Sequence, residues 1–274
     1  MFRHVTRNRT LLGTALRTLE LIFHCAVREL RKSHGNALLG LLMTIFQSII
    51  IVIVMYVTFD ILGLRRIAVR GDFVLYVMSG AFMFSTHISA IGAVSRADGP
   101  ASPMMMHSPM NPIIAICGAA LAVLYKQVLA ALVVLFLYHA LFTPVVIEDP
   151  VSDIGILLLA WASGLGIGMV LRSARPWQPD LASILTTVIM RVNIFASGKM
   201  MVANNVSPQL RAYFDWNPLF HIIDQARGYT FLNYTPHFTS VGYALKVTLV
   251  FVTIGLMAEF FTKQHVSESW GKRH

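Results

Sequence analysis

"NALLGLLMTIFQSIIIVIVMYVTF", residues 36–59, contains no Asp, Glu, Lys or Arg. As a helix rising 1.5 Å per residue it would reach about 36 Å, enough to cross the roughly 30 Å of hydrocarbon in a bilayer. Phe73 to Ser95 and Ile154 to Leu171 are equally free of charge, and Gly99 to Ile147 is broken only by Lys126. Only 13% of the chain is charged, against about 25% in soluble domains, and the mean hydropathy is +0.65. These runs are therefore read as membrane spans. Six are expected, at about 37–60, 73–95, 113–142, 153–171, 181–201 and 241–262, in an all-α membrane protein.

Six crossings put both termini on one side. With that side cytoplasmic, the inside holds thirteen flanking cations: Arg3, Arg7, Arg9, Arg17, Arg28, Arg31, Lys32, Arg96, Arg172, Arg175, Lys263, Lys272 and Arg273. The outside holds five: Arg65, Arg66, Arg70, Arg211 and Arg227. The positive-inside rule thus favours N-in/C-in. The expected division is a cytoplasmic N-terminus over 1–36, a six-helix domain over 37–262 and a cytoplasmic tail over 263–274. Arg17, Glu20, Arg28 and Glu29 interrupt the first apolar region, so a cleavable signal peptide is not expected there. Cys25 and Cys117 fall in different segments and suggest neither a disulfide framework nor a metal site.

Residues 11–32 have a different character. Leu12, Leu16, Leu19, Phe23 and Leu30 recur at helical spacing, with Arg17, His24, Arg28, Arg31 and Lys32 on the other face. The pattern is an amphipathic helix for a membrane surface, and a partner-binding helix would look the same. Between spans two and three, "SRADGPASPMMMHSPMNP" (95–112) carries too many prolines for a long helix. Its three methionines suit either a partner's groove or the membrane surface. In span four, Gly164, Gly166 and Gly168 offer a small-residue face for close helix packing.

Residues 202–240 are apolar in part, yet hold "DWNPLFHIIDQARGY" (215–229). Irregular backbone at membrane depth must be helical or buried in protein. The expected solution is two short helices hinged at Asn217–Pro218, dipping back into the outer leaflet, with Trp216, Tyr213 and Tyr229 at the interface.

These residues resemble the permease subunits of ABC-2 type exporters, and among them the capsular polysaccharide export permeases. "WNPLFHIIDQARGY" is similar to the family's N-P-L-x-H-hydrophobic-hydrophobic-E-x-x-R element before the last span, with Asp224 where Glu is usual. "VRELRKSHGNALLGLL" resembles the stretch leading into span one, and "SPMNPI" the one opening span three. The family often has Glu-Pro where this chain has Gln47–Ser48, and a basic residue where it has Asn111.

The resemblance implies short re-entrant helices before the last span that help cap a substrate path, with Trp216, Asn217, Pro218, His221, Asp224 and Arg227 forming the gate. It also implies a homodimer bound to two copies of an ABC ATPase. Coupling would run through Arg28, Glu29 and Arg31 and through Pro109, Asn111 and Pro112. The chain carries no G-x-x-x-x-G-K-[ST] cradle, and "SGKMM" (197–201) lacks its spacing, so ATP and Mg are expected on the partner and no cofactor on this chain. Further implied partners are a periplasmic adaptor or co-polymerase, an outer-membrane polysaccharide channel and the lipid-linked polysaccharide itself. No nucleic-acid partner is expected. The implied location is the bacterial inner membrane.

Intramembrane charges normally face protein or water. Arg191, with Asn193, Lys199 and Gln47, is therefore a candidate lining for an anionic sugar chain. The alternative is that Arg191 satisfies backbone carbonyls or pairs with Glu259. Lys126 and Lys246 are read as snorkelling from near span ends. His87 and His139 have no ligand-spaced neighbours, so no metal is expected, and His221 is read as a hydrogen-bonding residue of the gate. Tyr76, Phe82, Phe84 and Phe46 could stack on sugars or simply pack. The leading reading is a non-enzymatic permease for an acidic capsular polysaccharide. The same machine exporting O-antigen or teichoic acid is the alternative, ahead of a passive channel or a membrane-embedded enzyme.

Overall fold

A computed structural model describes residues 11–32, 36–61, 63, 71–98 and 111–271. Arg65, Arg66, Arg70, Met104 to Met106 and Pro109 lie outside the described residues. The described chain is helical, without strands: α1 (Leu11–Lys32), α2 (Ala37–Ile61), α3 (Phe73–Ser95), α4 (Pro112–Leu141), α5 (Pro150–Ala174), α6 (Pro179–Ala196), α7 (Pro208–Arg211), α8 (Pro218–Thr230) and α9 (Val241–Gly271). Six of these, α2 to α6 and α9, are long and apolar enough to cross a membrane.

The starts of these helices follow from short polar residues placed before proline. Asn111, Asp149, Ser207 and Asn217 each turn a side-chain oxygen onto an early N–H, and a proline follows where the missing N–H costs nothing. Asp72 does the same for α3 without a proline, accepting from Val74 N at 2.8 Å and Leu75 N at 3.4 Å. Each cap is worth about 1 kcal/mol.

Several expected boundaries move: span four lengthens to Pro150–Ala174 and the helix of span six runs on to Gly271. Span five ends at Ala196 rather than 201, because Gly198 takes φ +61° and turns the chain. A Cβ at Gly198 would lie 2.3 Å from the Phe220 ring, so only glycine fits. The first of the two expected re-entrant helices shrinks to the single turn of α7, followed by further turns up to Trp216.

α5 sits at the centre, and its glycines serve two neighbours. A Cβ on Gly164 would stand 2.3 Å from the His87 carbonyl oxygen, and one on Gly168 2.8 Å from Val94 Cβ, both on α3. One on Gly166 would stand 3.0 Å from Val252 N on α9. Lipid supplies no hydrophobic drive between helices, so such close backbone approach is what holds them. The pairings rise together along all three chains, so α3, α5 and α9 run parallel, as alternate crossings must. α8 completes this core: Leu219, Ile222, Ile223 and Ala226 pack with Met83, Phe84, Leu159 and Ala160. Phe84 lies about 16 Å along α3 from its start.

α2 and α6 lie at the edge, mostly exposed along their apolar lengths, and α9 is equally uncovered except on the side that meets α5, whereas α3 is largely enclosed. α1 packs on α4 where Cys25 fills the space beside Gly118, leaving Leu16, Leu19 and Phe23 more than 60% exposed. The apolar stripe read from the sequence therefore stays open to a membrane or a partner.

Candidate functional site

The polar residues of the quoted 215–229 stretch are turned inward. Asn217, His221, Asp224 and Arg227 are all buried, and Trp216 alone of the gate residues with polar groups is exposed, at 59%. Asn217 spends its carboxamide twice. Its oxygen caps α8 at Leu219 N (3.0 Å), and its Nδ2 donates to Asn193 Oδ1 (3.0 Å) and to the Ala196 carbonyl (2.9 Å). The start of α8 is thus fastened to the end of α6. Ser240 N donates to His221 Nδ1 at 3.1 Å, which leaves the ring proton on Nε2 to donate to the Asp215 carbonyl at 2.8 Å.

Asp224 accepts from the Tyr234 hydroxyl (2.5 Å), the Ala203 N–H (3.2 Å) and the Thr239 hydroxyl (2.8 Å). Burial and the neighbouring Asp224 carboxylate push the Tyr234 phenol far above its ordinary value, so it remains a donor. Arg227, one turn on, does not pair with Asp224. Its guanidinium donates to the carbonyls of Lys199 and Met201 and lies 4.2 Å from the Tyr76 ring centroid. Gly80 on α3 leaves room for this approach: a Cβ there would be 3.1 Å from both Arg227 Nη2 and the Lys199 oxygen. The result is one locked unit in which α8 and the loop after it are stitched to residues 196–204.

At the opposite end of α3 a second polar knot forms. Arg172 of α5 pairs with Glu259 of α9 at 2.5 Å and also donates to the Ala97 and Asp98 carbonyls, at 3.4 and 2.5 Å. Arg28 and Lys32 of α1 reach the Asp98 carboxylate, Lys32 at 3.7 Å. Of the expected coupling residues, Arg28 is thus tied to the end of α3. Glu29 meets Lys32 at 3.5 Å, Arg31 is exposed, and Asn111 and Pro112 open α4.

The four expected conduit residues separate. Arg191 and Gln47 are exposed on α6 and α2, whereas Asn193 and Lys199 are buried inside the chain. Lys199 Nζ lies 3.8 Å from the Phe84 ring centroid. The expected alternative pairing of Arg191 with Glu259 is overturned, because Glu259 is taken by Arg172. Lys126 is also corrected. It stands mid-way along α4, half-buried and within Coulombic reach of Glu29 on α1, rather than near a span end. Tyr76, Phe82 and Phe84 are buried in packing, and Phe46 is 61% exposed. His87 is enclosed, with Nδ1 2.7 Å from the Ser163 hydroxyl. Sequence reasoning missed the pairing of Arg172 with Glu259 and the roles of Tyr234 and Thr239, whose only signal was charge or hydroxyl placement close to a span end.

No family model matches the chain. It is 25% identical over 249 residues to a polysialic acid transport protein, KpsM, of Escherichia coli, covering 87% of this chain and 91% of that protein. A second Escherichia coli KpsM is 24% identical over 247 residues with the same coverage. The chain is thus similar, over most of its length, to two proteins named for polysialic acid transport. The aligned length is consistent with one multi-pass membrane domain rather than a shared fragment.

Proposed function

We propose that the chain is the membrane-spanning subunit of an ATP-driven exporter that carries a lipid-linked, acidic capsular polysaccharide across the bacterial inner membrane. The observation that carries this reading is the similarity over 87% of the chain to proteins named for polysialic acid transport. Six helices able to cross a membrane and the locked polar unit around α8 support it.

In this reading both termini are cytoplasmic and α8 dips in from the outer side. All but one of its buried side-chain polar atoms, Arg227 Nε, find partners within the described chain, and such internal bonding is what allows irregular backbone to lie at membrane depth. Two copies meet along the uncovered faces of α2 and α6, and Arg191 and Gln47 line the path between them. A charge at mid-membrane costs about 2.5–3.5 kcal/mol on insertion scales, so Arg191 needs water, substrate or a partner to face. Asn193 and Lys199 hold the gate from behind. ATP and Mg bind the partner ATPase, which presses on α1 and on the 99–110 segment rooted at Asp98. The Arg172–Glu259 pair passes that displacement to α5 and α9. A periplasmic adaptor and an outer-membrane channel receive the polymer.

Gentle purification of the tagged chain from its own cells should yield an ATPase in a two-to-two complex; a chain that elutes alone even after crosslinking would sink the exporter reading. Arg191→Leu should abolish most polymer export while the dimer and its thermal stability persist. Unchanged export in that variant would remove Arg191 from the path.

A further inference from the structure

Beside the Arg172 knot lies a small open notch of about 80 Å³ between the ends of α3 and α5 and the start of α6. Its polar lining is Ser95, Arg96, Arg175, Ser183, Thr186 and Thr187, and the rest is aliphatic. Every other cation at this end with a described partner has a carboxylate: Arg28 and Lys32 have Asp98, and Arg172 has Glu259. Arg96 and Arg175 have none within 4.0 Å among the described residues. Arg175 is aimed by one bond, Nη1 to the Ser95 carbonyl at 3.2 Å. Arg96 folds back over Gly92, where a Cβ would be 3.1 Å from its Nη2, and its guanidinium makes no hydrogen bond among the described residues. Asp180, the acidic residue of the first turn of α6, does not line the notch.

Two guanidiniums and four hydroxyls around an open space form a site for a tetrahedral dianion rather than a planar carboxylate, since the donors come from several directions and each free oxygen can accept more than one bond. Thr186 and Thr187 now donate to the Ala182 and Ser183 carbonyls, at 2.7 and 3.0 Å. Those carbonyls also carry the helix's own bonds, so either hydroxyl can swing toward an anion without stranding a buried acceptor. The first turn of α6 has no side-chain cap from Gln178, and its positive end adds to the field. The outer side of α6 presents exposed Leu181, Ile184, Leu185 and Val188, an apolar wall suited to acyl chains running from the notch.

We propose that this notch binds a phosphoryl group, and that the group belongs to a membrane lipid whose tails lie along α6. That the lipid is the anchor of an exported polymer rests on the reading under Proposed function; the phosphoryl site itself does not. The test is native mass spectrometry of the detergent-purified chain, with phosphatidic acid and diacylglycerol as matched lipids with and without the phosphoryl group. Phosphatidic acid should be retained and diacylglycerol not. Arg96→Gln, which removes no described hydrogen bond, should lower retention about tenfold or more at unchanged thermal stability. Arg96→Gln/Arg175→Gln should abolish it. Displacement of the lipid by inorganic phosphate at equal concentration would overturn the lipid assignment in favour of free phosphate. Equal retention of both lipids, or undiminished phosphatidic acid in both variants, would overturn the site. Retention lost in Arg96→Gln from a chain that never copurifies with an ATPase would keep the notch and reject the exporter, so the two readings fail separately.

Discussion

Two buried arginines stand at opposite ends of α3 and are satisfied in different ways. Arg227 has no carboxylate partner among the described residues and is held by the carbonyls of residues 199 and 201 and by the face of Tyr76. Arg172 has Glu259 at 2.5 Å and two carbonyls at the end of α3. Carbonyl bonds from a nearby stretch of chain make a rigid local unit. An ion pair between two helices that also grips the chain leaving a third makes a joint whose strength depends on both partners staying in place. The first arrangement suits a cap that must hold its shape, and the second a point where motion passes between helices.

The largest effect should come from breaking the joint. Arg172→Met leaves Glu259 buried without its partner, which costs about 3–5 kcal/mol. Folded yield and melting temperature in detergent should collapse. The comparison sharpens with Arg172→Met/Glu259→Leu, which should regain most of the lost stability, because an apolar pair of similar volume often does as well as a buried ion pair. If the double variant is as unstable as the single one, the carbonyl bonds of Arg172 and not the pair carry the joint.

Arg227→Met should cost less, about 1.5–3 kcal/mol, from the loss of charge-assisted bonds and two stranded carbonyls. No carboxylate substitution should rescue it. Hydrogen exchange should rise over residues 197–204 before it rises in α5. Uniform loosening of the whole chain would instead mean that the α8 unit is not separable from the core.

Much of this was legible in the sequence, for physical reasons. Lipid demands long charge-free runs, so α2, α3 and α4 were placed to within a residue or two at each end. The pairs Asn111–Pro112 and Asn217–Pro218 announce helix starts, because a cap oxygen followed by proline solves the first turn locally. The amphipathic spacing of 11–32 gave α1. What was not legible needs three dimensions. Span five looked five residues longer because Ser197, Gly198 and Lys199 read as a tolerable continuation, and only Phe220, distant in sequence, makes the turn at Gly198 obligatory. Lys199 looked like a path residue because intramembrane cations usually are, yet it is folded onto Phe84. The partner of Glu259 could not be read at all, since Arg172 and Arg191 are equally plausible from spacing alone.

A third contrast lies at the very start of α3, one turn before the Tyr76 ring on which Arg227 rests. Asp72 joins α3 to α4 by accepting from Tyr138 and Thr143, at 2.7 and 2.8 Å, as well as capping its own helix. Burial works to raise its carboxyl, but these hydrogen bonds outweigh it and hold the group below the ordinary aspartate value. A depressed carboxylate contributes stability that is present above its unfolded value and fades as pH falls through the folded one. The wild type should therefore exceed Asp72→Asn in melting temperature at neutral pH, and the gap should close on acidification below the usual aspartate range. A gap independent of pH would mean that the Asp72 charge contributes nothing.

The smallest effect tests whether single hydrogen bonds between spans matter beside the two knots. Trp161 of α5 donates to the Ala120 carbonyl of α4 at 2.8 Å, and that carbonyl also belongs to the helix ladder. Trp161→Phe removes the donor, keeps most of the ring and strands nothing. Interhelical bonds of this kind average about 0.6 kcal/mol in membranes, so the melting temperature should shift by a degree or two at most. A loss comparable to Arg227→Met would show that α4 is held by that one bond. The glycine-mediated packing of α5 against α3 and α9 would then be the stable core to which α4, and with it α1, is only loosely hung.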